Sequence, residues 1–246
     1  MFAARAGNFR GLAVSALLFG LFGSATVSAA PVTYTFDFAG AYTNAPSGVA
    51  GNEFIFADGT LTATVTSWAE IGAGTLEQAT GHQMANGMGV CNSLETKCLE
   101  KENIRGITEA VGKDWILVTF SEIVNLSSFT VSPETGDKVK AQFRDVTYYT
   151  GSLASPGDLN GKTYADVTGA LGLTEGTLLS GKGLDDVTVN IAPDLWGNSI
   201  IIGGTIGGAA DRILLNGMTT VVPIPASIWL FLTALGVLAG NRNKIR

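Results

Sequence analysis

His82 is the only histidine in the 246 residues, in the stretch ATGHQMANGMG, so any imidazole acid–base scheme would rest on it. No Gly-x-Ser-x-Gly elbow accompanies it, and no serine stands in a context that suggests activation. A histidine in so Gly-rich a stretch reads as a surface loop residue. Asp185-Asp186 offers two carboxylates, but adjacent strand residues point to opposite faces, a poor geometry for an acid and a base acting on one bond. GGTIGGAADR, residues 203–212, lacks the lysine and the helix that a phosphate loop needs. No set of groups converges, and a non-enzymatic role is expected.

Oxygen ligands for calcium come next. GDLNGKTYAD carries Asp158 and Asn160 at alternate positions, with Asp166 further on, like the start of a calcium loop. Gly161 comes early, however, Lys162 occupies a would-be ligand position, and the twelfth position is not Glu. An Asn-Gly turn accounts for the same letters. Calcium is the one cofactor these residues suggest. Cys91 and Cys98, in GVCNSLETKCLE, are separated by six residues. In an exported chain that spacing reads as one disulfide closing a small loop. A metal site would need two further ligands, and His82 lies nine residues upstream of Cys91. Trp68, Trp115 and Trp196 are candidates to stack on sugars, although each lies in or beside a strand, where core packing is the default.

The segments that would position these residues read as strands. PVTYTFDFAG alternates, with Tyr34, Phe36 and Phe38 on one face; GTLTATVTSW does the same with Leu61, Ala63 and Val65. WILVTF (115–120) is a near-continuous apolar run, and NLSSFTV (125–131) resumes the alternation after a short link. VKAQFRDVTYY (139–149), DVTVNI (186–191), SIIIGG (199–204) and DRILLNGMTTV (211–221) follow. Thr, Val, Ile, Phe and Tyr fill these windows, and Gly, Asn, Asp, Pro and Ser fill the gaps. The fold class expected is all-β, an antiparallel β-sandwich or jelly roll. No window reads as an amphipathic helix; residues 94–111 predict a loop with a helical turn, weakened by Gly106. Residues 152–183 are long for a sandwich loop and predict hidden short strands or an excursion over one face.

Both ends of the sequence differ from its middle. Arg5 and Arg10, the apolar stretch Leu12 to Phe22 and then small residues follow the order of a secretory signal peptide. Val27-Ser28-Ala29 suits cleavage by signal peptidase after Ala29, which assigns residues 1–29 to export by the general secretory machinery. Residues 30–221 form the expected ectodomain. Five of the 15 Lys and Arg lie in the end segments and none of the 21 Asp and Glu do, leaving 10 basic against 21 acidic residues, a net of −11. Such a surface repels phosphate backbones, so nucleic acid is not an expected partner. Uncharged residues from Ala226 to Gly240, with Val221 to Pro225 before them, approach the roughly 20 residues that cross a bilayer. Arg242, Lys244 and Arg246 follow at once, and positive flanks stay cytoplasmic, so the ectodomain would lie outside the inner membrane.

The ending Val222-Pro223-Ile224-Pro225-Ala226, then Ser227-Ile228-Trp229-Leu230-Phe231, an apolar helix and a basic tail, resembles the VPLPA variant of the PEP-CTERM sorting signal. Ile224 stands where that family has Glu or Leu. The resemblance implies recognition of residues 222–246 by an exosortase, with the transmembrane helix at about 226–240 and the tail at 241–246. Cleavage would fall near Pro223–Ala226 and release or re-anchor the ectodomain. GMGVCNSLETKC followed by DWILVTFSEIVNLSSFTV is similar to ectodomains of the same family, a Gly-x-Gly-Val turn, a loop and a strand pair; Asn103-Ile104-Arg105-Gly106 only approximates the family's Asp-Asn-Gly stretch. The resemblance implies a surface or matrix protein of a Gram-negative, exopolysaccharide-producing bacterium, held only transiently in the inner membrane. A carbohydrate-binding module is the alternative expectation, and a carboxylate-dependent glycoside hydrolase a lesser one.

Overall fold

Strands form where β-branched and aromatic residues alternate, and their antiparallel pairing builds nearly the whole fold. The computed structural model describes residues 31–40, 50–51, 53–71, 74–93, 107–108, 113–133, 142–143, 145–153, 159–179, 182–204 and 212–223, all within one compact unit, Pro31–Pro223. The expected signal peptide with Ala29, the segment Ile224–Arg246 with its helix and basic residues, Cys98 and Asp158 lie outside the described residues. The elements are β1 (Val32–Asp37), β2 (Ala50–Gly51), β3 (Glu53–Asp58), β4 (Leu61–Ile71), β5 (Thr75–Gln78), β6 (Thr80–Met84), β7 (Gly87–Cys91) and β8 (Ile107–Thr108). They continue with β9 (Lys113–Pro133), β10 (Gln142–Phe143), β11 (Val146–Gly151), α1 (Tyr164–Thr168), β12 (Thr174–Leu178), β13 (Lys182–Gly183), β14 (Val187–Asn190), β15 (Trp196–Gly204) and β16 (Arg212–Val222).

The 21-residue β9 is the spine, and it changes partners halfway. Its first part, Lys113 to Phe120, lies between β4 and β15, with Val118 opposite both Val65 and Ile200. Its second part, Asn125 to Pro133, lies between β16 and β14, with Phe129 opposite both Met218 and Val189. The change occurs at Ser121, Glu122 and Ile123, three consecutive exposed residues. One layer therefore runs β3–β4–β9–β15–β11–β12, and a second runs β1–β16–β9–β14. Their facing sides share one apolar core that includes Phe36, Phe54, Phe56, Val118, Phe120, Phe129, Ile200 and Met218. Aromatic pairs bridge the layers: Phe38 meets Phe56 edge to face at 5.0 Å, and Phe129 meets Tyr148 at 5.4 Å.

The apolar run in β9 has a direct explanation. Ile116, Val118 and Phe120 enter the core between the layers, while Trp115 and Leu117 point to the other side of the first layer. There a second cluster joins them to Trp68, Tyr149 and Ile201 and is covered by Leu159, Val167 and Leu173. Both faces of this strand are buried, so alternation vanishes and a continuous apolar run replaces it. The covering residues belong to the irregular segment after β11. It crosses the outer face of the first layer, carries α1, and returns as the short strand β12.

Two local readings change. WILVTF and NLSSFTV are parts of one strand, because the link between them stays extended. GMGV is no turn: Gly87–Cys91 is β7, paired with β6 from Met84↔Gly87 to Thr80↔Cys91, around the two-residue turn Ala85-Asn86. Gly87 has φ +130, and a Cβ there would stand 2.4 Å from the Leu215 carbonyl oxygen, so glycine is required by the close approach of β16. Within residues 139–149, the described residues form strands at Gln142–Phe143 and from Val146 onward.

Candidate functional site

His82 is not on the surface. It sits on β6, opposite Gly89 of β7 and Ala50 of β2, and only 8 % of it is exposed. Burial pushes its pKa below the ordinary histidine value, and Nε2 has no hydrogen-bond partner among the described residues. Flanking glycines let the chain pair closely here, which a reading of Gly as loop-forming misses. Asp185 and Asp186 lie in the bend between β13 and β14, both exposed, so strand alternation does not govern them.

The calcium candidates have local duties. Asn160 and Gly161 form a turn in which the Lys162 amide donates to the Leu159 carbonyl at 3.0 Å, with Gly161 at φ +71. Asp166 is the third residue of α1, and its Oδ2 accepts from the Thr163 amide at 2.8 Å and hydroxyl at 3.0 Å. The Thr163 Oγ1 in turn accepts from the Asp166 amide at 3.2 Å, which completes a capping box. These bonds hold the Asp166 carboxyl below its usual pKa. Among the described residues, no cluster of three His, Cys, Asp or Glu is arranged to hold a metal.

Cys91 is disulfide-bonded; the chain's other cysteine, Cys98, lies outside the described residues. Beside it, the Asn92 amide donates to the Asp114 carboxylate at 2.9 Å, with both side chains buried. This pair ties the end of β7 to the start of β9. A hydrogen-bond partner of this kind lowers the cost of burying a polar group. A cleft of about 210 Å3 opens between β1 and β3, with Asp37 and Asp58 at its rim. Asp37 accepts from the Ala39 and Gly40 amides, and Asp58 accepts from the Thr35 amide at 2.8 Å. Both carboxylates are thus used to pin backbone at the meeting of the two layers.

Burial separates the tryptophans. Trp68 and Trp115 are 3 % and 1 % exposed, packed under the covering segment, whereas Trp196 is 45 % exposed at the start of β15. Trp196 stands at one corner of the outer side of the second layer. On that side the registered strands form three rungs. The first is Thr33, Val221, Asn125 and Trp196. The second is Thr35, Thr219, Ser128 and Asn190, and the third is Asp37, Gly217, Thr130 and Thr188. The interleaved rung Phe36, Met218, Phe129 and Val189 is buried in the core, so the three rungs point away from it. Hydroxyl and amide side chains dominate these three rungs, and Asp37 is the one ionisable residue among them. Thr130 and Thr188 are joined hydroxyl to hydroxyl at 3.1 Å. The large exposed Trp was visible in sequence only as a tryptophan beside a strand; its exposure depends on where β15 begins relative to β9.

No protein-family model, curated protein or solved structure matches this chain.

Proposed function

We propose that this is an exported, non-enzymatic surface or extracellular-matrix protein that an exosortase sorts by its residues 222–246. In this reading residues 1–29 are removed after Ala29 by signal peptidase, following export through the general secretory machinery. A β-sandwich ectodomain then stays in the periplasm, briefly anchored in the inner membrane by a helix at about 226–240, with the basic tail 241–246 on the cytoplasmic side. Cleavage near Pro223–Ala226 passes it to the cell surface or matrix, where it works alongside exopolysaccharide in a biofilm.

The observation that carries the reading is the ordered ending: Val222-Pro223-Ile224-Pro225-Ala226, then an uncharged stretch, then Arg242, Lys244 and Arg246. The fold supports it at one point. The last strand, β16, ends at Val222, paired with Val32, and Pro223 directly after it is exposed, where a missing amide costs no ladder hydrogen bond. A binding role is favoured over catalysis by the uses already made of the ionisable groups. His82 is buried on β6, and Asp37, Asp58 and Asp166 accept backbone amides.

Deleting residues 224–246 tests the proposal. In a host with the exosortase, the full chain is expected in the surface and matrix fractions. The deletion is expected as a soluble periplasmic protein. Equal distribution of the two forms would overturn the role of the tail.

A further inference from the structure

We infer that the outer side of the second layer, with Trp196 at its corner, binds a neutral polysaccharide chain. The inference rests on the proposed surface role and names the ligand class for it.

Three observations on the molecule carry it. The first is charge. The expected ectodomain has 10 basic against 21 acidic residues, yet across the three rungs of this face only Asp37 ionises. Acidic groups elsewhere repel anionic polymers, and the face offers no Lys or Arg to attract one, so an uncharged chain is the complementary partner. The second is chemistry. Asn125 and Asn190 present amides with donors and acceptors together, and Thr35 and Thr219 present hydroxyls, a set that matches sugar hydroxyls in both directions. The third is the apolar element. Trp196 is 45 % exposed, and Ile123, two residues before Asn125 on β9, is 58 % exposed. Trp196 is registered opposite Asn125, so the exposed indole stands beside that amide, while Ile123 lies where β9 changes partners. An exposed indole gives the C–H face of a pyranose ring a platform, while the amides take its equatorial hydroxyls.

Geometry favours a chain over a single sugar. Strands lie about 4.8 Å apart, close to the length of one pyranose unit, so a glycan laid along a rung meets a new side chain at each residue. A second copy of this protein is the competing occupant. Homodimer interfaces have apolar centres. Here the middle rung is Thr35, Thr219, Ser128 and Asn190, which leaves little to desolvate favourably.

The test is affinity electrophoresis of the full chain in detergent, through gels containing neutral β-glucan, alginate or no polymer. Retardation by β-glucan and none by alginate is expected. Trp196→Ala should weaken the apparent binding by about tenfold or more, the usual loss when an interface anchor is truncated. Trp196→Phe should recover part of it, and Asn190→Ala should weaken it independently. Trp196 and Asn190 are exposed, so these variants retain the fold. Undiminished binding by Trp196→Ala, or equal retardation by alginate, would overturn the assignment to this face or to neutral chains. Failure of β-glucan to retard the wild type overturns it too, as does concentration-dependent retardation in the polymer-free gel, which would assign the face to a second copy. None of these outcomes bears on tail processing, which is read separately from the C-terminus.

Discussion

Gly203 of β15 faces Trp115 of β9, and a Cβ built on the glycine would stand 2.3 Å from the indole ring. The absent side chain leaves the space that the Trp115 indole occupies against β15. Gly203→Val should therefore destabilise the fold by about 1–3 kcal/mol through overpacking, measurable as a lower urea midpoint with unchanged slope. His82 makes a second prediction at this scale. Its folded pKa is lowered by burial, so below its ordinary value of 6.5 the unfolded chain binds a proton that the native chain refuses. Its contribution is fully present above pH 6.5 and is lost as pH falls through the folded pKa. Urea midpoints taken from pH 7 to pH 5 should fall in the wild type and stay flatter in His82→Gln. Single residues were the least legible part of the sequence. Trp68, Trp115 and Trp196 look alike as letters, and only the covering of one layer by Leu159, Val167 and Leu173 makes two of them core and leaves the third exposed.

Among the elements, α1 and the cysteine loop give the clearest expectations. Thr163→Ala removes the side chain that accepts from the Asp166 amide and donates to its carboxylate. It should cost about 1 kcal/mol and loosen the segment over Trp115, seen as faster amide exchange at Val167 and Leu173. The bonds from Thr163 lower the Asp166 pKa, so the box is complete above the ordinary carboxylate range and weakens as pH drops through the lowered value. Cys91→Ser should remove about 2–3 kcal/mol, the effect of one small closed loop, and raise exchange around Asn92 and Asp114. Elements in windows of strand-forming residues were legible: β1, β4, β14 and β16 fall on the stretches that such residues mark. The hairpin β6–β7 was not, because its pairing depends on glycines that carry no side-chain pattern and its turn is Ala85-Asn86, with Gly87 already in β7. α1 was hidden too, since five residues are too few for a helical period to show.

At the level of the whole molecule, the register Val32↔Val222 pairs the start of β1 with the end of β16, so these two residues lie at the same side of the folded unit. The rung that contains Trp196 belongs to that side as well, through Asn125↔Val221. The all-β class was readable because strand-forming residues and turn residues separate along the sequence. The partner change of β9 was not, because no local pattern records which strands flank an apolar run. The ordering of basic and apolar start, acidic middle, proline motif, apolar stretch and basic tail is a property of the sequence, and the history we propose, secretion, brief anchoring and cleavage, rests on it. Mass spectrometry of the C-terminal peptide, on protein recovered from its native host with and without the exosortase, reads that history at its decisive step. A mature C-terminus within Pro223–Ala226 that appears only when the enzyme is present is the expected result. Persistence of the Arg246 end in both strains would contradict the account and make the tail a permanent anchor.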